Sequence, residues 1–196
     1  VGAVCVVCRL SEIYNDFNID ERQTESTDRN MEDLMETQAL LGRAVRAGEG
    51  QTYRVVADLV TFKAIAAQTG SAYSLFETIT IPGMGTPPHL QHYEDEAFFI
   101  LEGNYTFLMG EEQIKAQPGT YIFVPRETVH AYTNTGTNPG RMLILVSPGG
   151  IHEKFFAEAG ETIADAANPS EPSGPPDLPR LVTVAAKYGI DILPPA

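Results

Sequence analysis

Between residues 42 and 148 the chain is a series of short apolar runs cut by Gly-, Pro- and Asn-rich turns, with no intervening stretch of helical period. That pattern constrains the fold more than any other feature. Strands are expected in "TYRVVAD", "LVTFKAIA", "YSLFETITI", "EAFFILEG", "NYTFLMG", "EQIKAQ", "TYIFVP", "HAYTNTG" and "RMLILVSP". "LEGNYTF" carries a Gly-Asn hairpin signal and "LMGEEQI" a second tight turn. Evenly spaced short strands predict an all-β domain, a small barrel or double-sheet jelly roll. No internal repeat is present, so one barrel is expected.

The flanks read differently. Residues 1–40 read as a flexible N-terminal segment: residues 9–41 are polar and acidic, and "NIDERQTESTDRN" has little to bury. Met31, Leu34, Met35 and Leu41 have weak helical spacing. The apolar start "VGAVCVVC" is too short to span a bilayer and lacks the basic lead of a secretory signal. The chain starts with Val, as expected of a processed or fragmentary product or of one carrying residues from an upstream start, so its first thirty residues are left out of the fold reading. Cys5 and Cys8 form a CxxC with no second half nearby; the choices are a redox or metal pair and a plain apolar terminus. Residues 151–196 read as a C-terminal helical tail packing on the barrel of residues 41–150. A first helix is expected over 149–167, and a second on Leu181, Val184, Ala185 and Tyr188.

With 196 residues the chain is long enough for one domain with a real core. A net charge of −13 argues against a nucleic-acid surface, which needs clustered Lys and Arg. No long apolar stretch suggests a membrane span, and a cytoplasmic protein is the default expectation.

Candidate chemistry falls in "TPPHLQHYEDEAFFILEG" and "VPRETVHAYTN". On a strand, residues two apart share a face. His89 and Gln91 would therefore point inward together and His92 outward, with Glu96 returning to the inner face after a bend. His130 opens a later strand and, paired beside the first, would bring its imidazole to the same point. Two imidazoles, a carboxylate and a fourth ligand suit Fe, Mn, Co, Ni or Cu. Three readings of position 91 stay open: the Gln oxygen ligates, His92 swings in through a bulge, or the cluster is polar and metal-free. Glu94 and Asp95 read as solvated acids at a bend, and His152 as a surface or capping residue. Phe98, Ile100, Phe107, Phe123, Tyr132 and Met142 are candidates to line a pocket, each also able to serve as plain core.

These residues resemble the two motifs of the cupins. Gly83, His89, Gln91, Glu96 and Gly103 match the first, with Gln at the second His. Gly119, Pro125, Glu127, His130 and Asn134 match the second, with Glu127 at a usual Gly. Over Ser71 to Pro148, and through the tail to nearly all of residues 45–195, the chain resembles small single-domain cupins related to quercetin 2,3-dioxygenase. The resemblance implies a single cupin jelly-roll barrel with C-terminal helices. It implies a divalent transition metal on His89, Gln91, Glu96 and His130, with Glu96 also a candidate base if burial raises its pKa. The implied activity is a metal-dependent dioxygenase acting on a flavonol or related enolised aromatic, often as a homodimer. Two alternatives stand beside it: a binding-only cupin with a degenerate site, and another cupin enzyme such as an isomerase or decarboxylase.

Overall fold

A computed structural model describes residues 42–170, 172 and 174–194. Cys5, Cys8, the acidic leader and the weak helix near Met31 lie outside the described residues. The described part carries twelve strands. They are β1 (Thr52–Val55), β2 (Asp58–Ala64), β3 (Ser74–Thr80), β4 (His89–Gln91), β5 (Asp95–Glu102) and β6 (Tyr105–Met109). The rest are β7 (Glu112–Ala116), β8 (Tyr121–Val124), β9 (His130–Asn134), β10 (Gly140–Ser147), β11 (Glu161–Ile163) and β12 (Ile190–Ile192). Three helices join them: a single turn α1 (Ala66–Thr69), α2 (Ile151–Ala159) and α3 (Leu178–Lys187).

All pairings are antiparallel. Seven strands form one sheet in the order β11-β1-β2-β3-β10-β5-β8, and five form a second in the order β12-β4-β9-β6-β7. The arrangement is the expected jelly roll, built as two sheets rather than one continuous ladder. Strict alternation drives it. In "SLFETIT" of β3, every second side chain is buried, and β10 repeats the pattern over eight residues. The inward set, with Phe62, Phe76, Phe98, Ile100, Phe107, Met142 and Ile144, fills the space between the sheets. Burying each such side chain stabilises the fold by roughly 1.5–3 kcal/mol.

The tail departs from expectation. Helix α2 ends at Ala159 rather than near residue 167, because the chain turns extended at Gly160 and β11 pairs with β1, Thr52 opposite Ile163. Helix α3 is capped by Asp177, whose side chain accepts from the Arg180 amide at 3.0 Å, and it buries Val184 and Ala185. After it, β12 adds to β4, Ile190 opposite Gln91 and Ile192 opposite His89. The C-terminus thus braces the strand that carries the site. Among the described residues no helix is long and apolar enough to cross a membrane.

Candidate functional site

His89 and His130 sit directly opposite each other on β4 and β9 of the five-stranded sheet. Glu96 comes from β5 of the facing sheet, opposite Val124 and Val146. The site therefore spans the sandwich. One ligand-type atom from each of His89, Glu96 and His130 lies within 4.8 Å of the others. His92 points the other way and stays partly exposed between Glu127 at 3.0 Å and Asp191 at 3.1 Å. No bulge brings it in.

The tautomers follow from the partners. His89 Nδ1 lies 2.9 Å from the Pro87 carbonyl, and His130 Nδ1 lies 2.9 Å from the Thr128 carbonyl. A carbonyl only accepts, so both Nδ1 atoms carry hydrogen and both Nε2 atoms are left for the interior. Such backbone anchoring is how metal-binding imidazoles are commonly held. His130 Nε2 is 3.1 Å from Glu96 Oε2. Two acceptors at that separation need a cation between them, a proton or a metal. Adjacent ligands at right angles on an ion with bonds of about 2.1 Å stand about 3.0 Å apart. The donor set and spacing fit a divalent transition metal.

Gln91 is buried and faces the same point, but its Nε2 donates to Glu96 Oε2 at 2.5 Å. In this arrangement the amide orients the carboxylate. Burial alone would raise the Glu96 pKa; the hydrogen bond and charge of His130, aided by the other imidazoles, outweigh it and hold the group at about 2. This runs against the expectation of a burial-raised base: a carboxylate held so low is a poor proton acceptor near neutral pH. Desolvation, then the charge of His130, holds His89 at about 4. His130 itself is raised: desolvation opposes its charge, but the Glu96 contact prevails.

The turn before β9 fixes His130. Glu127, where the motif expects Gly, has φ +65°, a left-handed conformation costing a non-glycine residue about 1–2 kcal/mol. Its amide donates to the Gln91 carbonyl at 2.8 Å, tying the turn to β4. Asn134 is wholly buried; its amide donates to the Thr80 and Asn138 carbonyls and its oxygen accepts from the Gly136 amide. That motif position is structural.

A cavity of about 90 Å³ opens beside the cluster, bounded by His89, Glu96, Phe76, Phe98, Tyr132 and Phe156 among others. Of the pocket candidates, Phe98 and Tyr132 line it. Ile100, Phe107 and Met142 are core without reaching the cavity. Phe123 is 49% exposed and lies on the outer face with Phe99 and Tyr121, because Ile122 and Val124 take the inward positions of β8. Two residues read as solvent-facing are buried instead. Glu94 is 1% and His152 5% exposed, and Glu94 Oε2 meets His152 Nδ1 at 2.5 Å. His152 lines the same cavity. Asp58, missed entirely, also borders it and accepts from the Tyr132 hydroxyl at 2.6 Å.

The cupin domain family matches residues 76–146. Quercetin 2,3-dioxygenase of Bacillus subtilis is 32% identical over 84 residues, which are 43% of this chain but 24% of that enzyme. An uncharacterized protein of Methanocaldococcus jannaschii is 31% identical over 84 residues, 43% of this chain and 67% of that one. The crystal structure of a predicted oxalate decarboxylase from Thermotoga maritima aligns with a TM-score of 0.50 at 18% identity, covering 54% of this chain and 99% of that one. That last likeness concerns the fold alone.

Proposed function

This chain belongs to the cupin family, and we propose that it works as a metal-dependent enzyme on a small enolisable aromatic, by a dioxygenase reaction of the quercetinase type. The observation that carries the reading is the inward Nε2 pair of His89 and His130 facing the Glu96 carboxylate at an aromatic-walled cavity. Two histidines and one carboxylate with open positions are the donor set of non-haem iron oxygenases. A divalent ion there supplies Lewis acidity toward a substrate oxygen.

The chain's own residues do the rest. Pro87 and Thr128 hold the imidazoles in one tautomer, and Gln91 fixes the carboxylate. Phe76, Phe98 and Phe156 offer flat apolar walls that keep water from the ring. At about 90 Å³ the cavity is smaller than the several hundred typical of drug-sized ligands, which favours one reactive ring over a whole flavonol. Oxygen uptake by the metal-loaded protein, with quercetin and with single-ring enols and phenols, tests the reading. Substrate-dependent uptake lost on chelation supports it; no uptake with any of them refutes it.

Gln91 favours a second reading, a binding-only cupin, because its amide occupies the fourth ligand place and donates to Glu96. That protein would gain Tm on adding ligand and turn nothing over. A homodimer through the outward Phe99, Tyr121 and Phe123 beside the sheet-edge strand β8 belongs to the same proposal. Sedimentation of Tyr121→Lys tests it: a dimer in the parent chain should become a monomer.

A further inference from the structure

The cavity has a second polar wall that the metal-type cluster does not use. Glu94 precedes β5 and His152 stands in the first turn of α2, 58 residues apart in sequence. Both are buried. The Glu94 carboxylate is fixed twice, by the His152 ring at 2.5 Å and by the Ile151 amide at 3.3 Å, where the helix N-terminus favours negative charge. The His152 ring is held in turn against Phe76, near-parallel at 5.9 Å, and against Phe156 at 5.4 Å. Its Nδ1 is committed to Glu94. Its Nε2 has no hydrogen-bond partner among the described residues, and the ring borders the cavity together with His89 and Glu96.

We propose that His152, oriented by Glu94, is the proton-accepting and anion-holding group of this cavity, and that the cavity takes ligands bearing an acidic hydroxyl, an enol or a phenol. The inference rests on the reading of the cavity as a site for enolisable aromatics. On binding, the ligand O–H bond breaks and its electron pair stays on oxygen. The proton forms an N–H bond at Nε2, and Glu94 stabilises the imidazolium through Nδ1–H. A ligand arriving as its anion reaches the same complex with an already protonated ring. Glu96 Oε2 is already engaged by the Gln91 amide at 2.5 Å and the His130 ring at 3.1 Å, so the role falls to the opposite wall.

The surrounding charges agree. Burial alone would disfavour a charged His152; its contact with Glu94 and, less, the charge of Glu96 raise its affinity for a proton. The other titratable groups bordering the cavity are His89, Asp58 and Tyr132, the last two raised by burial. A mere tether of α2 to the β5 lead-in would need the Glu94 bond alone. It would not need a free Nε2 at a cavity. Buried ion pairs are also poor sources of stability for their own sake.

The test uses chelator-treated full chain, so that it does not depend on the metal. The probes are 4-nitrophenol, whose anion is yellow, and 4-nitroanisole, its methyl ether, which has no proton to give. We expect the phenol to bind roughly tenfold tighter than the ether, the scale of one charge-assisted hydrogen bond, and to turn yellow on binding below its solution pKa. His152→Asn should abolish both the preference and the colour. Glu94→Gln keeps the imidazole and should lose most of both, and it decides the matter if His152→Asn does not fold. Equal affinity for the two probes, no binding of either, or a yellow complex that survives both variants would overturn the inference. Metal content is measured separately. A metal-binding protein blind to the phenol sinks this inference alone, whereas a protein that ionises the phenol but binds no metal sinks only the metal reading.

Discussion

His89 and His92 stand three residues apart in one segment, each near acidic groups, and their protonation is driven in opposite directions. His89 faces inward beside His130 and is held near 4 by desolvation and a like charge. His92 faces outward and is raised by hydrogen bonds to Glu127 and Asp191. The acids split in the same way. Glu94 and Glu96 are buried, while Asp95 between them pairs with Arg126 at the surface and is held at about 2 mainly by that bond. Strand parity, not local acid density, decides which residues of this stretch can do chemistry.

The largest test of that contrast removes one inward partner. His130→Ala leaves the Glu96 carboxylate buried without its cation and should cost roughly 3–5 kcal/mol in urea unfolding. It should also abolish metal uptake. Gln91→His should strengthen metal binding by at least about tenfold, or ~1.4 kcal/mol, read by competition with a coloured chelator. Unchanged affinity would mean that position 91 does not face the ion.

The titrations sharpen it further. Imidazole NMR of the metal-free protein should place the His89 midpoint near 4 and that of His92 above 6.5. The stability consequences have definite signs. His89 is lowered on folding, so the unfolded chain binds its proton more readily. Its contribution is complete above pH 6.5 and is lost as pH falls through about 4. Glu96 is also lowered, so its contribution is complete above about 4.5 and is lost as pH falls through about 2. His130 is raised, so its contribution is present below 6.5 and is lost as pH rises through its folded value. Acid therefore removes the first two contributions in order, His89 before Glu96.

Smaller effects belong to the outward side. Glu127→Gly should relieve the left-handed strain and raise stability by up to about 1 kcal/mol, partly offset by the greater freedom of glycine when unfolded. It should also lower the His92 midpoint, because Glu127 is its strongest partner. His92→Ala should leave both Tm and metal content unchanged.

The strands with clean alternation, β3 and β10 above all, were legible in the sequence, as were the inward placement of His89 and Gln91 and the turn that delivers His130. The three-residue strands β11 and β12 were not, since three residues carry no period and their partners lie far along the chain. Phe123 was misplaced because a large apolar side chain outweighed parity: Ile122 and Val124 on either side already claimed the inner face. Glu94 and His152 were misread for a deeper reason. Each looks like a surface residue in its own segment, and only the packing of α2 against the lead into β5 brings them together. The hydrophobic wall that hides them, Phe76 with Phe155 and Phe156, was the one available signal: a histidine three residues before two phenylalanines on an amphipathic helix shares their buried face.

The central claim is that His89, Glu96 and His130 hold one divalent metal. Its most direct test is metal content by mass spectrometry, on protein purified without chelator and then offered Fe, Mn, Co, Ni and Cu in turn. The account predicts close to one ion per chain, retained in His92→Ala and lost in His89→Ala and His130→Ala. Protein that takes up no ion from any of the five, or that keeps its ion in both inward variants, would contradict it.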